Sequence, residues 1–299
     1  MKRTDAATAA SRPIAERLRE DSAALAKALQ VSRHEAQRDV QILLSRALGW
    51  DLARLLTRPE SLPDTEAAKR YESMLARRMA HEPVAYLLGE REFYSLLFEV
   101  SSAVLIPRPE TELLVELALG CIPESGPCSV LDLGSGSGCI AVTVAKLRPS
   151  AQVLATDVSE AALAVLRRNA SRHGVTNLDC AVGSWFGAVG QRCFDVIVSN
   201  PPYVAVADPH LRQADLRFEP RIALAAGPQG LDALREIIEG APGHLRPGGW
   251  LLVEHGHDQA DAVAALMGAA GFEGLFSHRD LAGIPRVAQA RMSQTVGPK

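Results

Sequence analysis

Val130-Leu131-Asp132-Leu133-Gly134-Ser135-Gly136-Ser137-Gly138-Cys139-Ile140 reads as an apolar strand that runs into a glycine-rich turn and opens a helix. Glycine at alternate positions permits a tight turn and lets a ligand approach the backbone closely. A dinucleotide fingerprint needs glycine at position 139, and Cys139 stands there, so a pyrophosphate reading is weakened. A loop this compact suits an adenosyl ligand without phosphates. The competing reading is a glycine-rich connection that holds nothing.

Downstream the pattern alternates. Val153 to Thr156 is predicted as a strand, Glu160 to His173 as a helix, and Phe194 to Ser199 as a strand. Leu231 to Leu245 follows as a helix, Trp250 to Glu254 as a strand and Ala260 to Ala270 as a helix, with two β segments closing the chain. Strand–helix alternation with short connections implies an α/β fold, a mainly parallel sheet covered on both faces.

Upstream the first 80 or so residues read as four or five helices. Ser32 with Glu35 three residues on is a capping-box pattern. Val40, Leu43, Leu44, Ala47 and Leu48 recur at helical spacing, and Thr65 to Met79 reads as a further helix. From Pro83 to Pro109 short β segments around Gly89 to Val100 suggest a hairpin or extended linker. The expected divisions are 1–83, 84–109 and 110–299.

The composition narrows the function classes. With 47% hydrophobic and 22% charged residues in a chain of 299, a buried core is attainable and wholesale disorder is excluded. No apolar run of about 18 residues suggests a membrane span. The basic start, Met1-Lys2-Arg3-Thr4-Asp5, has no apolar stretch behind it, so a secretory signal is not expected. The five cysteines form no CxxC, so neither a disulfide framework nor a zinc site is suggested, and a reducing cytoplasm is the expected compartment. His255-Gly256-His257 lacks a third ligand at suitable spacing, so no metal is expected. Net charge is −3 overall; residues 1–85 carry +3 and the rest −6, which argues against dedicated nucleic-acid binding.

Two further features bear on chemistry. Asp157 follows the next strand, 19 residues after Gly138. A carboxylate there can accept hydrogen bonds from both hydroxyls of a ribose, or it can simply cap the following helix. Ser199-Asn200-Pro201-Pro202-Tyr203 closes the strand that begins at Phe194. Prolines stiffen the loop and leave carbonyls without a competing local donor. Asn200 Oδ1 and the Pro201 carbonyl can accept from an NH₂ group, and Tyr203 can lie against a flat acceptor. A Pro-stiffened turn with a packed tyrosine is the plain alternative.

This Asn-Pro-Pro-Tyr loop downstream of a GxGxG turn resembles the amino-methylating branch of S-adenosylmethionine-dependent methyltransferases. More of the chain is similar to one family, the release-factor glutamine methyltransferases. The segments that carry the likeness are Glu82 to Gly89, Leu105-Ile106-Pro107-Arg108-Pro109-Glu110-Thr111-Glu112, Asp208 to Leu211, Arg217 to Pro220, and Glu254-His255-Gly256 with Gln259. Ile284-Pro285-Arg286 and Gly227-Pro228-Gln229-Gly230 depart from the family's usual polar residues.

The resemblance implies a Rossmann-like S-adenosylmethionine methyltransferase domain, preceded by a small all-helical domain that recognises the substrate and by a β-hairpin linker. It implies S-adenosylmethionine as cofactor and S-adenosylhomocysteine as product. Peptide chain release factors would be the protein substrates, methylated on the glutamine of their Gly-Gly-Gln motif in support of translation termination. Gly134, Ser135, Gly136, Ser137 and Gly138 would line the cofactor, Asp157 would hold its ribose, Trp185 would flank the adenine and Asn200 would lie nearby. Asn200, Pro201, Pro202 and Tyr203 would hold the substrate amide, with Asn200, Pro201 and Tyr203 in the catalytic role. A monomer is expected. The alternatives are a ribosomal-protein glutamine methyltransferase, an adenine-specific nucleic-acid methyltransferase using the same four residues, and a module that only binds the cofactor.

Overall fold

In the computed structural model, which describes residues 12–294, the local signals act as their chemistry dictates. The backbone N–H of Glu35 donates to Ser32 Oγ at 3.2 Å, and the backbone N–H of Ser32 donates to the Glu35 carboxylate at 2.9 Å, closing the capping box. The basic stretch Met1–Asp5 lies outside the described residues, as does all but Arg12 of the extra N-terminal dozen.

Two compact units form. The first holds the described residues up to Gly89 together with Gln213–Phe218. Its helices are α1 (Ile14–Leu29), α2 (Arg33–Leu48), α3 (Leu52–Thr57), α4 (Thr65–Met79) and α5 (Val84–Leu88). The periodic residues Val40, Leu43 and Leu44 of α2 are buried with Leu25, Tyr71 and Leu75 in one core. Burying each such leucine stabilises the unit by about 1.5–3 kcal/mol. Arg78, 8% exposed, donates to Asp39 at 2.8 Å and to Asp215 at 2.7 Å, so its buried charge is paired on both sides.

The second unit begins with a hairpin, β1 (Glu90–Phe93) paired antiparallel to β2 (Leu96–Glu99). Tyr94 and Ser95 both take positive φ, the backbone that a two-residue hairpin turn requires. Then come α6 (Thr111–Cys121), β3 (Cys128–Leu133), α7 (Cys139–Leu147), β4 (Ala151–Asp157), α8 (Glu160–Arg172), β5 (Leu178–Val182) and β6 (Phe194–Ser199). After several short turns follow α9 (Asp232–Gly240), β7 (Leu245–Glu254), α10 (Ala260–Ala269), β8 (Phe272–Arg279) and β9 (Pro285–Met292). One seven-stranded sheet results, in the order β5-β4-β3-β6-β7-β9-β8. The first five strands are parallel, and β9 runs antiparallel to both β7 and β8. Apolar clusters cover both faces, one including Phe93, Phe98, Val130 and Val198, the other Leu131, Ile197, Ile237 and Leu251.

Two details differ from the sequence reading. The helix expected over Leu231 to Leu245 ends at Gly240, and Ala241–Gly243 forms a single 3₁₀ turn before Leu245 enters β7. Pro242 has no N–H to continue the helix. Strand β5 went unrecognised because it is the sheet's edge and none of its five residues is buried, so no apolar run marks it. Pro285, one of the departures from the family pattern, opens β9, where a strand tolerates proline.

Candidate active site

Strand order reverses between β3 and β6, since β4 and β5 extend one way and β7 the other. Open α/β sheets bind ligands at the carboxyl ends of the strands beside such a switch. A cavity of about 510 Å³ lies at these strand ends, and Gly134, Ser135, Gly136, Ser137, Asp157, Trp185, Asn200 and Pro202 line it. Gly138, Pro201 and Tyr203 are not on its wall.

The glycine loop is held by its own backbone. The N–H groups of Gly134 and Ser135 both donate to Thr156 O, at 2.8 and 2.9 Å, and Gly136 N–H donates to Asp157 Oδ2 at 2.9 Å. Asn169 of α8 donates to Ser137 O at 2.9 Å from the far side. Gly134 has φ +72°, and a Cβ there would come 3.3 Å from the Trp185 ring, so glycine lets that ring close over the loop. Trp185 itself takes φ +42°.

Gly138 serves packing rather than the wall. Its φ is +80°, and a Cβ would sit 2.6 Å from Leu166 Cγ. Gly138→Ala therefore combines a left-handed backbone penalty with overpacking, a cost of about 2–4 kcal/mol. Urea denaturation checks this, and an unchanged midpoint would refute the tight contact.

The Asn-Pro-Pro-Tyr loop leaves β6 with its polar groups sorted. Asn200 Nδ2 donates to Thr111 Oγ1 at 3.0 Å. Among the described residues, neither Asn200 Oδ1 nor the carbonyl of buried Pro201 accepts a hydrogen bond. Two acceptors without donors thus sit at one strand end, suited to a ligand NH₂ group. The Tyr203 hydroxyl donates to Glu254 Oε1 at 3.2 Å. Burial, then the Glu254 charge, pushes the Tyr203 phenol up, so it stays a donor. Glu254 is 1% exposed, and burial pushes its carboxyl up to about 7 despite the opposing pull of Thr111 and Tyr203. Asp132, in β3 behind the glycine loop, is fully buried and likewise pushed up to about 7 by burial.

Other side chains brace the rim, and sequence reasoning attached no chemistry to them. Buried Glu219 accepts from Ile106 N–H at 3.0 Å and from Arg108, tying the Arg217 to Pro220 motif to the Leu105 to Glu112 motif. Gln259 accepts from Gly256 N–H at 2.8 Å and donates to Tyr203 O at 3.0 Å. It also reaches the carbonyls of Gln229 and Gly230, both at 3.3 Å. Each of these residues lay within or beside a quoted motif. Their partners are distant in sequence, so only the fold shows the pairing.

The PrmC N-terminal domain family matches residues 18–89, and the Methyltransferase small domain family matches residues 111–215. The release factor glutamine methyltransferase of Bordetella pertussis is 51% identical over 257 residues, covering 86% of this chain and 93% of that one. The protein of the same name from Burkholderia pseudomallei is 50% identical over 262 residues, covering 85% and 91%. Among solved structures, a methyltransferase from Pyrococcus furiosus superposes with a TM-score of 0.52 at 20% identity, over 74% of this chain and 99% of that one, which speaks for the fold alone. At half identity over most of both lengths, the chain belongs to the release factor glutamine methyltransferase family.

Proposed function

We propose that the protein transfers a methyl group from S-adenosylmethionine to the side-chain amide nitrogen of the glutamine in the Gly-Gly-Gln motif of peptide chain release factors. The observation that carries this reading is the undonated Oδ1 of Asn200, a residue that lines the same cavity as the glycine loop and Asp157, with the undonated Pro201 carbonyl next to it in the chain. The cavity fits the cofactor: the backbone at Gly136 is open, and Asp157 keeps a free lone pair on each oxygen for the ribose hydroxyls. Trp185 lines the end where the adenine would rest. When bound, S-adenosylmethionine supplies a methyl group that is already strongly electrophilic.

The residues therefore have a positioning task. An amide nitrogen is a poor nucleophile because its lone pair is delocalised into the carbonyl. Accepting both N–H hydrogens on Asn200 Oδ1 and Pro201 O aims that lone pair and stabilises the positive charge that grows on nitrogen. No base is needed first, since the proton can leave to water after transfer. Tyr203 enters through Glu254 and Gln259, which hold the loop from behind.

We assign recognition of the release factor to the helical unit, which carries the basic excess of the chain's first 85 residues and none of the cavity's lining. Mass spectrometry of release factors incubated with the protein and S-adenosylmethionine is expected to show one added methyl group on the Gly-Gly-Gln glutamine. Transfer to adenine in nucleic acid, with none to the release factor, would defeat the proposal.

A further inference from the structure

Asparagine is a poor residue for a helix interior, because its amide competes with the backbone for hydrogen bonds. Asn169 nevertheless stands inside α8, fully buried. Its amide serves two other stretches of chain. Oδ1 accepts from Glu99 N–H at 2.7 Å and Nδ2 donates to Glu99 O at 3.0 Å, so the last residue of β2 meets this side chain as it would meet a neighbouring strand. Nδ2 also donates to Ser137 O of the glycine loop at 2.9 Å. One helical turn earlier, Leu166 packs against Gly138. Helix α8 therefore grips two consecutive residues of the loop, and residues beside that grip hold the hairpin. Arg168 pairs with the Glu99 carboxylate at 2.7 Å, and His173 Nε2, just past α8, lies 3.0 Å from Leu97 O.

We propose that Asn169 is a positioning residue for S-adenosylmethionine: it holds the Ser137 carbonyl of the glycine loop and thereby makes the β1–β2 hairpin part of the cofactor site. This role rests on the cofactor reading above and does not depend on which molecule accepts the methyl group. Ser137 lines the cavity, and its neighbour Gly136 is pinned by Asp157, which lines the cavity too. Two adjacent loop residues are thus held by side chains from different elements. Only a side-chain amide of this length supplies what the position needs, one acceptor and two donors in a single plane. Aspartate keeps the acceptor for Glu99 N–H and loses both donors. With Ser137 O released, the ligand itself must order the loop, and its affinity falls accordingly. Coupling of this kind is reciprocal: if the link tightens cofactor binding, bound cofactor tightens the link by the same factor. Glu99 reports on it from outside the cavity, since no hairpin residue lines the wall.

Hydrogen exchange at Glu99 N–H, followed by NMR, is expected to slow about 10-fold when the wild-type protein is saturated with S-adenosylmethionine. In Asn169→Asp, saturating cofactor should leave that rate unchanged. Calorimetric titration should show the same variant binding S-adenosylmethionine about 10-fold more weakly. In methyl transfer its KM for the cofactor should rise by that factor, with kcat at saturating cofactor close to the wild-type value. Arg168→Ala, which removes the exposed ion pair to the Glu99 carboxylate, should bind cofactor as the wild type does. A Glu99 exchange rate that ignores the cofactor in the wild type would overturn the proposal, and that measurement needs no variant to fold. Equal slowing in Asn169→Asp, wild-type cofactor affinity in a folded Asn169→Asp, or an equal loss in Arg168→Ala would overturn it as well. Cofactor binding with the expected exchange pattern but no methyl transfer to release factors would overturn the substrate reading alone and leave the Asn169 link standing.

Discussion

Asn200→Ala is expected to slow single-turnover methyl transfer about 10²–10³-fold, the usual cost of removing one preorganised electrostatic contact. S-adenosylmethionine affinity should change little, because the glycine loop and Asp157 are held by backbone and carboxylate contacts that do not involve Asn200. The loss is felt mainly in the transition state, where charge grows on the substrate nitrogen, so kcat should fall more than KM rises. Asn200→Asp is the sharper variant. It keeps an acceptor but gives up the donor to Thr111, and it adds a second carboxylate to the group that already contains Glu254. Its rate should fall between those of the wild type and the alanine variant. Wild-type transfer by Asn200→Ala at saturating cofactor would show that amide orientation is not how the rate is won.

Asp157→Ala carries the second large expected effect, a loss of about 5–150-fold in S-adenosylmethionine affinity. Asp157 ends β4 with Oδ2 on Gly136 N–H at 2.9 Å and Oδ1 on Ser159 N–H at 2.8 Å. The side chain pins the glycine loop, and in the proposed reading its spare lone pairs meet the ribose. Its removal is then expected to strand the ribose hydroxyls and release the loop. The sheet should survive, since no core cluster includes this residue. Calorimetric titration beside a thermal melt separates the two, and unchanged affinity in a folded variant would remove Asp157 from the ribose.

The sequence exposed those parts of the fold whose signal is local. Parallel strands buried on both faces, such as Phe194–Ser199, announce themselves as apolar runs, and the Ser32–Glu35 cap lies within four residues of chain. Edge strand β5, with no buried residue, carries no such mark. At the site, the residues with a backbone signature were visible: the positive-φ glycines, Asp157 after its strand and the double proline. Thr111 and Glu254 were not, because their meaning depends on partners 89 and 51 residues away, Asn200 and Tyr203. Gly138 and Tyr203 take their expected ligand contacts from their place in a motif; what the motif did not reveal is the packing of one against Leu166 and the hydrogen bond of the other to Glu254.

Gln259 has a consequence for how this region can change over generations. One amide joins the turn after β7, the turn at Gln229 and Gly230, and the loop at Tyr203. Gly230 leaves no slack between them, since a Cβ there would stand 2.1 Å from the Tyr203 carbonyl oxygen. Three loops drawn from separate stretches of chain are therefore inherited as one piece. An insertion in any of them displaces the shared amide from the other two, and a compensating change must arise in both before the arrangement works again. Novelty in substrate choice is consequently easier to reach through surfaces that do not touch Gln259 than by remodelling the loop at Tyr203.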